Sequence, residues 1–153
     1  MHSIMKKERD SYHVSLKLVL KNNKNEILGL KAVSWGSLAN FYDLPGGRID
    51  TDEFNTPFAE VIKREASEEI GNVDFHLHLK PIAIGRHLIP ASMASEKREI
   101  HILYVFFEAD YISGDIKISD EHTGYQWINI KENDPKKYFT SGILEGILAY
   151  DVS

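Results

Sequence analysis

The sequence contains no cysteine. Disulfides, thiolate zinc sites, iron–sulfur clusters and cysteine nucleophiles are therefore excluded, and a reducing compartment is compatible with the chain. Proline is sparse, with five residues, and no Pro/Gly/Ser-rich linker, low-complexity tract or internal repeat breaks the sequence. Long hydrophobic runs are missing as well. None approaches the ~20 residues that a membrane-spanning helix needs, and the polar start Met-His-Ser-Ile-Met-Lys-Lys-Glu-Arg-Asp does not read as a secretory signal. The expectation is a cytoplasmic protein with no membrane association. An excess of positive charge is also lacking. Asp and Glu number 23 against 18 Lys and Arg, for a formal net charge of -5. No basic footprint for a stable nucleic-acid partner follows from that balance.

What remains is an ordinary globular composition, 42% hydrophobic and 27% charged over 153 residues. That length predicts one domain over 1–153, with 1–11 as a polar lead-in. It is large enough to bury a core without staples. His13–Leu20 and Glu26–Val33 read as the strands of a hairpin around the polar turn Lys21–Asn25. Phe41–Leu44 reads as a short strand ended by Pro45-Gly46-Gly47. A helix is expected next, capped by Thr56 with Pro57 in its first turn, carrying Phe58, Val61, Ile62 and Ala66 on its apolar stripe and stopped by Gly71. Residues 73–79 alternate strictly, and Pro81–Ile89 continues in extended character. Pro90–Glu99 reads as a polar loop. Ile100–Glu108 reads as an apolar interior strand, Ile116–Ile118 and Gln126–Ile130 as shorter strands, and Ser141–Tyr150 as a terminal helix. The pattern is α+β.

The chemistry concentrates in the central helix. Glu65, Glu68 and Glu69 are three and four residues apart, so their carboxylates project over one side of the helix near its end. There they repel one another and meet the negative end of the helix dipole. Helix stability alone does not select this arrangement. A hard divalent cation offsets both penalties, because magnesium and manganese prefer oxygen ligands. Arg64, four residues before Glu68, can brace that carboxylate. Gly46 and Gly47, between strand and helix, let backbone groups approach a ligand closely.

The segment resembles the Nudix box, G-x5-E-x7-R-E-U-x-E-E-x-G-U, where U is a bulky aliphatic residue. Gly47 and Glu53 match its first half, and Arg64, Glu65, Glu68, Glu69 and Gly71 its second. Leu44-Pro45-Gly46-Gly47 before it is also typical of that family. Three departures stand out. Ten residues separate Glu53 from Arg64 where the pattern has seven, an insertion that bears on Glu53, which in the family braces the box arginine. Ala66 is small where a larger aliphatic is usual, and Asn72 stands in for the last aliphatic, with Val73 following. The likeness continues through the apolar strand Ile100–Glu108 and Asp120-Glu121-His122-x-x-Tyr125-x-Trp127. It implies the Nudix fold, an α/β/α sandwich with a mixed sheet and the box as loop–helix–loop.

The resemblance further implies metal-dependent hydrolysis of a nucleoside diphosphate linked to another group, X. In that scheme Glu65, Glu68, Glu69 and the carbonyl of Gly46 or Gly47 hold two or more Mg2+ or Mn2+ ions, which neutralise the phosphates and acidify a water. The candidate bases are Glu68, Glu69, Glu121 and, on the downstream loop, Glu96 or Glu99. Arg48, Arg86 and Arg98 are candidates to meet the diphosphate. The Gly-Gly-Arg-Ile start, the Pro90 loop and the Asp-Glu-His…Tyr…Trp segment lean towards nucleoside diphosphate sugars such as ADP-ribose or GDP-mannose. The alternatives are a nucleotide-sanitising triphosphate pyrophosphohydrolase, an RNA 5'-pyrophosphohydrolase, and a non-catalytic nucleotide sensor of the same fold. A homodimer is compatible with the sequence. Elsewhere, His76 and His78 form a histidine pair with no evident third ligand and read as an exposed strand face. His101 reads as a core or pocket-lining residue, Tyr104, Phe106 and Phe107 as core, and Trp127 as packing.

Overall fold

The computed structural model describes residues 6–151; residues 1–5, the start of the expected lead-in, and 152–153 lie outside the described residues. Among the described residues, seven strands join in one mixed sheet: β1 (Tyr12–Lys21), β2 (Ile27–Ala32), β3 (Tyr42–Asp43), β4 (Gly46–Arg48), β5 (Asp74–Ile89), β6 (Ile100–Ser113) and β7 (His122–Ile128). Their main order is β3-β2-β1-β6-β5, with β4 added to β1 and β7 to β2. The helices α1 (Phe58–Ile70) and α2 (Ser141–Asp151) cover opposite faces.

Strand alternation decides which face each residue serves. On β1, Leu16, Leu18 and Leu20 join Val61, Ile62, Ala66 and Ile70 of α1 in one core layer, with Phe107 and Ala109 of β6. Val19 points the other way, to the layer that holds Ile102, Tyr104, Phe106, Ile143 and Ile147. The sandwich expected from the sequence is thus present, and Tyr104, Phe106 and Phe107 are buried in it. Trp127 packs as expected, with its ring 5.3 Å from that of Tyr111.

The hairpin between β1 and β2 closes at Lys21↔Ile27. The longer partnership of β1 is parallel to β6, in continuous register from Tyr12↔His101 to Lys21↔Asp110. Its other edge takes β4, which pairs antiparallel with Ser15↔Arg48, Leu16↔Gly47 and Lys17↔Gly46. This pairing anchors the Gly46-Gly47 turn on the central strand. The two extended segments expected on either side of residue 80 are one strand, β5, whose register against β6 slips around Pro81. Proline has no N–H to give to the ladder, so the irregularity falls there.

Three local expectations are corrected. Helix α1 begins at Phe58 with Pro57, not Thr56, as the boundary residue. No side chain caps the helix; the Thr56 N–H bonds the Glu53 carbonyl and closes the turn that leads into it. Ile116–Ile118 is not a strand. Its isoleucines pack beside α1, but the N–H groups of Lys117 and Ser119 bond the carbonyls of Ile70 and Glu69. The segment thus satisfies the open C-terminal end of α1 rather than a sheet neighbour. Strand β7 runs His122–Ile128 rather than 126–130. His101 is satisfied and lines a shallow surface with Tyr12, Arg86 and Leu88, the pocket-lining alternative of its expectation. Its ring nitrogens lie 2.8 Å from an Asp10 carboxylate oxygen and 2.7 Å from a Glu99 one, and those two carboxylates hold the imidazole above its ordinary pKa.

Candidate active site

The Gly-Gly turn is shaped by close approach. Gly46 has φ +133, and a Cβ there would overlap the Leu16 carbonyl on β1; only glycine fits both constraints. A Cβ on Gly47 would collide with the Glu65 carboxylate. The turn and the first box glutamate are therefore pressed together, which is why helix α1 and strand β4 meet at this point.

Arg64 organises the rim. Its Nε donates to Glu53 Oε2 at 2.9 Å and its Nη2 to Glu53 Oε1 at 2.6 Å, a two-pronged pair of the strongest geometry available to these side chains. Nη1 lies 3.0 Å from Glu65 and 3.4 Å from Glu68. The three-residue insertion does not displace Glu53. A short 3-10 turn at Thr51–Glu53 seats it, with the Asp50 N–H donating to Glu53 Oε1 at 3.0 Å, and the extra length runs out through the solvent-exposed Phe54. The Asp50 N–H and the guanidinium hold the Glu53 carboxyl below its usual range. Glu53 in turn raises Arg64, which stays charged. Glu53→Gln removes one half of that pair without emptying the space. We expect kcat to fall about 10–100-fold, the range for a partner that orients metal-binding groups, with secondary structure unchanged by circular dichroism.

The three box glutamates sit in three different environments. Glu68 is exposed, with 59% of its side chain accessible. Glu65 is partly buried, and burial raises its pKa against the lowering effect of Arg64. Glu69 is 4% exposed. Burial pushes its pKa up to about 8, Lys17 opposes this, and Asp43, Glu121 and Glu65 add to it. Its Oε2 has no hydrogen-bond partner. A buried, orphaned carboxylate oxygen among three other acids is a poor arrangement in isolation and a good one around a cation. The donors here, carboxylates beside a glycine turn, suit Mg2+ or Mn2+.

Behind Glu69 lies a buried polar group that the sequence did not flag. Lys17 Nζ on β1 donates to Asp43 Oδ2 at 3.1 Å and lies 3.0 Å from Oδ1. Burial alone would lower the ammonium, but Asp43 and Glu69 more than reverse this and hold it above its usual value. Burial likewise would raise Asp43, yet Lys17 holds it down at about 2. His122, at the start of β7, stands between the two acids, with Nε2 4.0 Å from Asp43 and Nδ1 3.8 Å from Glu69. Glu121 beside it contributes to the field on both Glu65 and Glu69. The one available signal was a lysine set among Leu16, Leu18 and Val19.

The expected substrate residues divide. Arg48 and Glu96 line one open groove of about 1040 Å³ with Tyr12, Ile49, Asp50 and Asp52. Arg48 also lines a smaller cavity of about 180 Å³ with Lys17, Ser37, Gly47, His87 and Tyr104. There the His87 ring lies nearly parallel to Tyr104, with centroids 6.2 Å apart, and its nitrogens sit 2.8 Å from Ser141 Oγ and 2.9 Å from Ser37 Oγ. Burial lowers the His87 pKa. Arg86 lies on a separate shallow surface with Asp10, Leu88 and His101, and Arg98 and Glu99 are exposed on the loop before β6. The histidine pair gains what the sequence did not show: His78 Nε2 lies 2.8 Å from Asp110 Oδ2 across the strands. Glu108 nearby is already engaged by Lys21 and Tyr150.

A mixed sheet between two helices, with a glycine turn facing an Arg-Glu-x-x-Glu-Glu helix, defines the Nudix class. The family model for the NUDIX domain matches residues 11–145, and the chain belongs to the Nudix hydrolase family. Among known proteins it is similar to the nucleoside triphosphatase NudI of Escherichia coli, at 24% identity over 111 residues, covering 72% of this chain and 77% of NudI. Among solved structures it resembles a MutT NUDIX hydrolase from Burkholderia pseudomallei, at TM-score 0.63 and 20% identity, covering 93% of this chain and 98% of that one. An ADP-ribose pyrophosphatase from Streptococcus suis superposes at TM-score 0.58 and 15% identity, covering 93% and 92%. The chain is thus a pyrophosphohydrolase by family. Among the described residues, no helix is long and apolar enough to cross a membrane.

Proposed function

We propose that this chain hydrolyses the phosphoanhydride bond of a nucleoside diphosphate linked to a sugar, of the ADP-ribose or GDP-mannose kind. The observation that carries the reading is the pair of recesses meeting at Arg48, the smaller of them lined by Gly47 of the box turn. A substrate with a bulky group on each side of a diphosphate needs two such recesses, and the shared arginine would meet the phosphates between them.

Glu65, Glu68, Glu69 and the backbone at Gly47 would hold two or more divalent ions, which when bound neutralise the diphosphate and acidify the attacking water. The protein's own residues do the rest. Arg64 fixes Glu65 and Glu68 from the side. Glu68, which is exposed, is a candidate to accept the proton of the attacking water, as are Glu69 and Glu121. Ser37, His87 and Tyr104 line the small cavity that would take one of the two groups.

The name of the NudI relatives favours a second reading, in which the leaving group is pyrophosphate from a nucleoside triphosphate. One experiment decides. A panel of ADP-ribose, GDP-mannose and nucleoside triphosphates is assayed with Mg2+, and products are identified by mass spectrometry in oxygen-18 water. We expect kcat/KM to favour the diphosphate sugars, chelator to abolish turnover and Mg2+ or Mn2+ to restore it. A higher kcat/KM for triphosphates would replace the first reading with the second.

A further inference from the structure

The geometry points to His122 as a nitrogen ligand of the ion that Glu69 binds, completing a Glu69–Glu121–His122 donor set that favours Mn2+ or another first-row transition ion over Mg2+ at that position. This rests on the hydrolase reading above, but makes a separate claim about the protein. A ligand atom from each of these three residues lies within 4.8 Å of the others. Glu69 Oε2 and His122 Nδ1 are both buried, both lack a hydrogen-bond partner, and lie 3.8 Å apart. That separation is too long for a hydrogen bond between them. It is a separation at which one ion can accept both.

The other side of the imidazole is prepared for this role. Nε2 faces Asp43 at 4.0 Å, and Asp43 is paired with Lys17 at 3.0 Å. An anionic partner at Nε2 favours the tautomer with its proton there, which leaves the Nδ1 lone pair turned towards Glu69. The side chain of His122 is 8% exposed and that of Glu69 5%, so water does not readily replace either donor. Imidazole nitrogen suits manganese and later first-row ions, whereas magnesium prefers oxygen alone.

The test reads the metal, not the reaction. Mn2+ is added to the full chain and followed by electron spin-echo envelope modulation. The same spectrum is then taken with protein labelled with nitrogen-15 histidine, and with His122→Gln. We expect strong modulation from a directly bound imidazole nitrogen, shifted by the label and absent in the variant. Mn2+ affinity should fall about tenfold in His122→Gln while Mg2+ affinity changes little. Tightly bound Mn2+ without histidine modulation would overturn the assignment and leave the carboxylate site standing. Failure to bind Mn2+ at all would overturn both. The labelled wild-type spectrum decides even if the variant does not fold.

Discussion

Replacing Glu69 with glutamine is expected to lower kcat by on the order of 10²–10⁴-fold, the range for losing a carboxylate that acts in the transition state, while making the metal-free protein more stable at neutral pH. The two effects have one origin. The buried Glu69 carboxyl is pushed up to about 8 from an ordinary value of 4.5, so between those values the folded chain holds a proton that the unfolded chain releases. Stability of the metal-free protein then falls as pH rises through that window, because the folded state binds more protons than the unfolded state. Glutamine cannot ionise, so the variant should show a flat profile over the same range. The difference at pH 8 is on the order of a few kcal/mol, read as a shift in the urea midpoint with unchanged m-value. Divalent metal should reverse the wild-type trend, since it binds the ionised form and binds more tightly as pH rises. A wild-type profile parallel to that of Glu69→Gln without metal would mean that the carboxyl ionises freely in the folded state.

This coupling explains which parts of the site could be read from the sequence. Arg64, Glu65, Glu68 and Glu69 lie within one and a half turns of a helix, where spacing alone fixes which side chains share a face. Glu53 is separated from them by an insertion, and only the structure shows the added residues leaving through Phe54 while Glu53 keeps both bonds to Arg64. Lys17, Asp43 and His122 come from β1, β3 and β7, and nothing local joins them. Their meeting depends on sheet order, and in particular on β2 holding β3 and β7 together. The same limit applies to Ile116–Ile118, whose apolar residues were visible but whose backbone partners, the last carbonyls of α1, were not. Periodicity reports which face is buried; it does not report where the hydrogen bonds go.

The second large effect is structural. Lys17→Met should destabilise the protein by about 3–5 kcal/mol, because it leaves the Asp43 carboxylate buried without its partner. Only 6% of the Lys17 side chain and 17% of the Asp43 side chain are exposed, so water cannot compensate, and the melting temperature should drop by about 10 °C. In the double variant Lys17→Met with Asp43→Asn, the charge to be compensated is gone and most of the lost stability should return. The double-mutant cycle therefore separates the ion pair from simple packing of the lysine stem, which runs past the Tyr104 ring with Nζ 5.5 Å from its centroid. The wild-type pair also has an acid limit. Asp43 is held at about 2 against an ordinary 3.8, so its contribution is complete above pH 4 and is lost as pH falls through that interval. Neither single variant should spare activity, because Asp43 faces His122 and Lys17 acts on Glu69. The ion pair supports the fold and bears on the charge of the groups proposed to hold the metal.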